Sequence, residues 1–341
     1  MAPVRRLDLG SLLSRAEAAA PVGVVDAMAA ALLEMLGAHD VSFLIADFSG
    51  RSLNRLGHTG ASEKPGSRDR ETLVRVPLDG TPYGEALAGQ RSVLLREGGD
   101  TRILAPVTSR GEAVGVLELV LPFEPTALTL KDVELAAHQL AYMVIANRRY
   151  TDLFEWGQRT VPMSLAAEIQ RRLLPASFTC EAAQFTLAGW LEPAGEVGGD
   201  TFDFSLDRDT LHVSMTDAMG HTVEAALLAT LVVGALRNTR RRGASLIEQA
   251  QSAHQALLAH TQLEPGFVTG QLVRVDLVAH TARVLNAGHP RPFRLRQGAA
   301  REIDLVADEP LGALPDASWS EHELSLMPDD RVLFVTDGCS S

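Results

Sequence analysis

Three aspartates stand where a chain can gather carboxylates around a hard cation. Asp200 follows two glycines in PAGEVGGDTFDF (193–204). Asp217 closes the apolar run HVSMTD (212–217) and is followed by a turn at Gly220 and a helical stretch. Asp337 closes a second apolar run in RVLFVTDG (331–338). A strand end is rigid, and adjacent glycines let backbone and ion approach closely. Carboxylates placed this way suit Mg²⁺ or Mn²⁺, which prefer oxygen ligands. Two such cations can activate a water and stabilise a phosphoryl group in transfer. Any one Asp-Gly is ordinary turn sequence; the ordered set of three is what points to chemistry. His39, His58 and His138 have no metal-ligand spacing. Cys180 and Cys339 lie too far apart to suggest a metal site or a disulfide framework, which favours a reducing, cytoplasmic compartment.

The elements that must position these acids are legible around them. Residues 211–216 and 331–336 read as strands, and 267–296 as strand, turn and strand closing on Ala287–Pro290. A helix follows Thr222, and its apolar core from Ala225 to Leu236 is 12 residues long. A membrane span needs about 20, so no membrane association is expected. In the first half, 21–37 repeats apolar positions at helical spacing and ends in Gly37, and 41–50 reads as strand and turn. Residues 57–70 read as a polar loop, 72–78 as a strand, 79–90 as a turn with a short helix, and 102–121 as a hairpin around Ser109–Glu112. From Thr129 a long helical pattern runs to about Thr160. Pro162 interrupts it before SLAAEIQRRLLP, so two jointed helices are expected rather than one rod.

The chain has 341 residues, 46% of them hydrophobic and 22% charged, enough for two globular cores. Residues 1–150 carry 16 basic and 18 acidic side chains, and 151–341 carry 15 and 25. The acidic second half argues against a nucleic-acid surface, which needs a basic stripe.

The order of elements over residues 1–150, with PLDGTPYGEALAGQRSVLL (77–95), APVTSRGEAVGVLELVL (105–121) and LTLKDVELAAHQLAYMVIANRR (128–149), resembles a GAF domain. The resemblance implies a six-stranded antiparallel sheet backed by helices and a sensory role, with a small-molecule ligand left open. Residues 165–341 resemble the PPM-type serine phosphatases of the SpoIIE/RsbU branch. The segments that carry this are EIQRRLLP (168–175), EVGGDTFDF (196–204), DAMGHTVEAALLAT (217–230), FVT (267–269), NAGHPRPF (286–293), EPLGALP (309–315) and VTDG (335–338).

Together the two resemblances imply an α+β fold class: a GAF sensor at 1–150, a helical linker at 151–180, and a PPM-type β-sandwich at 181–341 with helices on both outer faces. The second resemblance implies a protein serine/threonine phosphatase holding two ions, Mn²⁺ or Mg²⁺. Its implied metal ligands are Asp200, Asp217, Asp337 and the Ala218 carbonyl. It also implies removal of phosphate from an anti-anti-sigma-factor (STAS) protein by direct attack of water, without a phosphoenzyme. A homodimer through the linker helix is expected. The family pattern continues past Thr-Asp-Gly to a further metal-binding Asp, so the sandwich is expected to be C-terminally incomplete. The alternative is a regulatory protein that uses a phosphatase-like fold to bind its partner.

Smaller features have plainer readings. Arg237, Arg240, Arg241 and Arg242 are expected to complement a helix C-terminus. Asp203 is expected to be structural, and Trp190 and Trp319 to be core residues. Residues 290–296 read as a strand with an exposed basic face. His221 and His289 are given no catalytic role.

Overall fold

The computed structural model describes residues 6–60, 74–160, 162–191, 199–220, 222–261 and 266–339. The contacts divide the chain into two compact units. One comprises residues 1–162 and 179–187; the other comprises 163–178 and 188–341.

The first unit opens with helices α1 (Leu9–Ala18) and α2 (Val24–Leu36). Asp8 caps α1 by accepting from the Ser11 amide, and Gly37 ends α2 in the left-handed conformation (φ 67°), as its position suggests. Strands β1 (Asp40–Ala46), β2 (Ser52–Gly60) and β3 (Arg75–Pro77) follow. Helix α3 (Pro82–Gly89) then precedes β4 (Val93–Glu97), β5 (Asp100–Ser109) and β6 (Glu112–Leu121). Helices α4 (Ala127–Asn147) and α5 (Leu153–Gln158) complete the unit, joined by the hairpin β7 (Thr179–Glu181) and β8 (Thr186–Ala188). The six strands form one sheet in the order β3-β2-β1-β6-β5-β4, antiparallel throughout. This is the sheet that the GAF resemblance implies.

Alternation along the strands sorts the core. Val41, Phe43 and Ile45 face the packed helices α1, α2 and α4, whereas Leu44 and Ala46 face α3. On the α3 face, the fully buried Glu118 accepts from Arg102, from Arg55 (3.3 Å) and from the Tyr83 hydroxyl (3.1 Å). Burial, reinforced by the Glu118 charge, pushes the Tyr83 hydroxyl up to about 12. The loop expected at 57–70 begins later than composition suggests. β2 pairs with β1 as far as Gly60 opposite Asp40, and the ladder overrides the polar sequence. Residues 61–70 of that loop, and 71–73 before β3, lie outside the described residues. Composition alone also gave no sign of β4.

The expected connector at 151–180 does not stand apart. Its helix α5 packs on β1 and β2 within the first unit. Helix α6 (Leu165–Leu173), capped by Ser164, belongs to the second. The long helical pattern is thus three pieces: α4, a short 3₁₀ turn with α5, and α6.

The second unit continues with β9 (Thr201–Leu206), β10 (Thr210–Ala218), α7 (Val223–Arg240), α8 (Leu246–Thr261), β11 (Val268–Asp276), β12 (Thr281–Ala287), β13 (Phe293–Arg296), β14 (Ala299–Glu302), β15 (His322–Ser325) and β16 (Arg331–Leu333). A five-stranded antiparallel sheet, β15-β12-β11-β10-β9, faces a three-stranded one, β14-β13-β16. Val273, Val284 and Leu324 of the large sheet pack with Val332 and Phe334 between the sheets. Leu272, Leu285 and Val268, of opposite parity, pack under α7 and α8. Among the described residues, helices therefore cover one outer face, where the resemblance implies both. The outer side of the small sheet carries Phe293, Leu295 and Leu333, all exposed.

Several side chains depart from what their sequence context suggests. The exposed face of β13 is apolar rather than basic, because alternation turns Phe293 and Leu295 outward and puts Arg294 and Arg296 on the other side, where Arg296 makes a two-pronged bond with Asp330. Trp319 is buried and donates to the Glu309 carbonyl, as a core residue should, but Trp190 is 71% exposed. Arg237 and Arg240 do not serve the helix terminus; both bind the buried carboxylate of Asp203. The strand expected at 331–336 is only Arg331–Leu333; among the described residues its one partner is β13, with three paired residues.

Candidate metal and phosphate site

β9 and β10 are held in register up to the pair Thr201–Thr216, whose buried hydroxyls meet at 2.6 Å. Asp200 and Asp217 lie one residue beyond that pair, so the ladder delivers both acids to the same end of the sheet. Gly199 lets the strands close there. Its carbonyl accepts from the Ala218 amide at 3.3 Å, and a Cβ at this position would lie 2.4 Å from the Ala218 carbonyl oxygen. No residue larger than glycine fits without moving that carbonyl. On the other side Asp217 pairs with Thr269 of β11. The third acid, Asp337, is exposed in a 3₁₀ turn (Asp337–Cys339) after β16. It is tied to the others through its neighbour: the Thr336 hydroxyl donates to Asp200 Oδ2 at 3.3 Å.

The electrostatics show that these acids share one region. Burial, then the charges of Asp200 and Asp337, pushes the Asp217 carboxyl up to about 7. Asp200 is also raised, chiefly by burial; the Thr336 hydroxyl opposes this and the Asp337 charge adds to it. Asp200 Oδ1 is buried with no hydrogen-bond partner. Yet among the described residues no group of three or more His, Cys, Asp or Glu side chains is close enough to hold a metal ion in common. The acids are within electrostatic reach of one another without forming a closed cage. As a donor set they fit a hard divalent cation: carboxylate oxygens, one of them buried and unpartnered, beside a backbone carbonyl at a strand end.

Several neighbours carried no functional signal in the sequence. His289, only 3% exposed, lies after β12 with Nδ1 2.9 Å from the Thr269 hydroxyl. Its backbone is clamped by Asn286, whose Oδ1 accepts from the His289 amide and whose Nδ2 donates to its carbonyl. Gln170 of α6 donates to the Asp200 carbonyl. Arg237 bridges Asp203 and the Leu173 carbonyl at the end of α6. The family-like motifs contain several of these residues, but their partners lie far along the chain and cannot be read from spacing. His221 and the 192–198 part of the Gly-Gly-Asp segment lie outside the described residues.

Comparison with known proteins locates this unit. Residues 207–340 match the family model for stage II sporulation protein E (SpoIIE). The phosphoserine phosphatase RsbU of Bacillus subtilis (strain 168) is 22% identical over 177 residues, 52% of this chain and 52% of that protein. The chain thus spans about half the length of the curated relative it matches. Among solved structures, the RsbU and RsbW domains of a Mycobacterium tuberculosis protein are 26% identical. That match covers 43% of this chain and 41% of that one, with a TM-score of 0.38. The GAF domain of an Acinetobacter phosphoenolpyruvate-protein phosphotransferase is 14% identical, over 41% of this chain and 92% of that one, with a TM-score of 0.35. No helix among the described residues is long and apolar enough to cross a membrane. The stretch that resembles the SpoIIE family, residues 207–340, takes in the strand that ends with Asp217 and the turn that begins with Asp337.

Proposed function

We propose that this chain is a metal-dependent protein serine phosphatase whose substrate is a phosphorylated STAS-domain anti-anti-sigma factor, with the first unit acting as its sensor. The observation that carries this is the meeting of three aspartates at one end of a sandwich. Burial, with the charges of Asp200 and Asp337 added to it, pushes Asp217 up to about 7, and Asp217 and Asp337 fall within the segment that matches the SpoIIE model. Asp200, Asp217, Asp337 and the Ala218 carbonyl would hold Mn²⁺ or Mg²⁺. Bound there, the cations supply Lewis acidity toward a phosphoryl oxygen and a water. The chain's own contribution is placement. Thr201 and Thr216 lock the register that presents Asp200 and Asp217, and Gly199 brings the Ala218 carbonyl into line. Asp217, whose protonated form is favoured first by burial and then by the charges of Asp200 and Asp337, would have to give up that proton to hold a cation.

Regulation by the first unit is supported by the way α6 meets the site. Gln170 grips the carbonyl of Asp200 itself, and Arg237 joins the end of α6 to Asp203 on β9. Any displacement of α6 pulls on the strand that begins with a proposed metal ligand. In this scheme a small molecule bound by the GAF-like unit and a homodimer formed through the helices at 151–180 are the inputs.

A second reading has one observation in its favour. The described residues hold no ready three-ligand group, and Asp337 is exposed. A protein that binds its partner through this fold without turning it over fits that geometry. Hydrolysis of p-nitrophenyl phosphate and of a phosphorylated STAS protein separates the two. Mn²⁺-dependent turnover, abolished by chelator and by Asp217→Asn, establishes the phosphatase. Partner binding with unchanged phosphate content establishes the alternative.

A further inference from the structure

The turn EPLGALP (309–315) is held by a buried polar side chain that has no part in the site described above. His254 of α8 is 2% exposed and stands edge-on to Trp319, ring centroids 5.1 Å apart. The Gly312 amide donates to its Nδ1 at 3.0 Å. A backbone amide only donates, so Nδ1 is the bare nitrogen of a neutral ring and the proton is on Nε2. Nε2 lies 3.4 Å from the Pro315 carbonyl, so both ring nitrogens serve one turn. The turn needs its glycine: Gly312 has φ 84°, and a Cβ there would lie 2.9 Å from Leu257 Cβ.

From that bond a series of peptide groups runs to the site. The peptide joining Leu311 to Gly312 gives its N–H to His254, and its carbonyl accepts from the Val268 amide at 2.9 Å. The peptide joining Phe267 to Val268 supplies that amide, and its carbonyl accepts from the Met219 amide at 3.1 Å. The peptide joining Ala218 to Met219 supplies that amide in turn, and its carbonyl is the one proposed to hold a cation. A trans peptide points its C=O away from its N–H. The Met219–Phe267 bond therefore turns the Ala218 carbonyl away from β11 and toward Gly199, beside Asp200. Hydrogen bonds in series polarise one another in the same direction. An acceptor at the His254 end raises the electron density at the Ala218 oxygen.

We propose that His254 is a positioning residue for the cation site: its Nδ1 lone pair anchors three peptide groups, bonded in series, that aim and polarise the Ala218 carbonyl. The inference deepens the proposed function and rests on that carbonyl being a metal ligand.

The test uses the full chain with His254→Asn, His254→Gln and His254→Leu. Asparagine places an acceptor where Nδ1 stands. Glutamine reaches only the Nε2 position, and leucine fills the space without polarity. Amide hydrogen exchange in metal-free protein is read at Gly312, Val268 and Met219, and Mn²⁺ affinity by calorimetry. His254→Leu and His254→Gln should speed exchange at those three amides and weaken Mn²⁺ binding by about tenfold. His254→Asn should keep both near wild type. A merely structural histidine predicts instead that all three variants lose affinity in step with melting temperature, and that result overturns the proposal. Unchanged exchange at Val268 and Met219 in His254→Leu overturns it too. If His254→Leu does not fold, the asparagine–glutamine contrast decides alone. Wild-type protein that binds no Mn²⁺ refutes the metal site itself, while exchange at the three amides still decides whether His254 anchors the series.

Discussion

The hydroxyls of Thr201 and Thr216 face each other across β9 and β10 at 2.6 Å, sealed from solvent, one residue inside the two acids that the strands present. Each hydroxyl has the other as its partner, so the pair acts as a pin against slippage. A one-residue slip would turn Asp200 and Asp217 to opposite faces.

That pin can be weighed by a mutant cycle. Thr201→Val alone should cost about 1–2 kcal/mol, because it leaves the Thr216 hydroxyl buried and unsatisfied. Adding Thr216→Val should cost less than a second increment, since two methyls can replace two hydroxyls. Denaturant unfolding of the two singles and the double checks the sign of the coupling.

Gly199→Ala should be far more damaging to function than to fold. The added Cβ would meet the Ala218 carbonyl oxygen at 2.4 Å and move it by a fraction of an ångström or more. Misplacement on that scale costs turnover about 10²-fold. Mn²⁺-dependent hydrolysis, read beside an unfolding curve that stays within about 2 kcal/mol of wild type, is the comparison to make.

Asp217 gives a pH dependence with a definite sign. Its carboxyl titrates at about 7 in the folded chain against 3.8 as the ordinary value. Between those values the folded state binds the extra proton, so metal-free stability falls as pH rises and levels off above the folded value. Asp217→Asn removes this loss. The variant should exceed wild type at about pH 8 by about 1–2 kcal/mol, a figure discounted for partial solvation of the carboxylate. The gap should close on acidification toward the ordinary value. With saturating Mn²⁺ the order should reverse. Thermal melts across pH, with and without metal, test all three statements.

In the first unit, Glu118→Gln should cost about 2–3 kcal/mol. It removes the charge that Arg102 and Arg55 share, at a position with no solvent to replace it. The arginines are about a quarter exposed and can recover part of their hydration, which sets the figure below that for a wholly buried triad. Differential scanning calorimetry should show an early transition in this variant, with the Mn²⁺-sensitive transition unmoved.

Much of this architecture was legible because local signals agreed with the fold. Gly37 marked a helix end, the hairpin at 102–121 declared itself by two apolar runs, and Asp217 stood at the end of an apolar strand. What was hidden depended on distant pairing. β2 runs through polar sequence because β1 pairs with it, and Arg237 binds Asp203 instead of its own helix end. Asp337 was legible as a residue type in a motif but not as the exposed turn it occupies, since nothing in VTDG says where the strand stops. His289 was visible as a letter in NAGHPRPF, whereas its side-chain partner is Thr269, twenty positions earlier.

The hairpin of β7 and β8 is counted with the first unit although the chain reaches it from α6, so the backbone passes between the units three times, near 162, 178 and 187. The Glu181 amide donates to the Arg110 carbonyl, and Gly111 packs on Glu181 and Thr179. No single peptide-bond cleavage can therefore free one unit whole. A fragment ending at 162 would leave the β5–β6 turn bare, and one beginning at 163 would carry a β-ribbon torn from its seat. To a protease, or to an engineer choosing where to cut, the two halves are interleaved parts of one thread and not beads on a string.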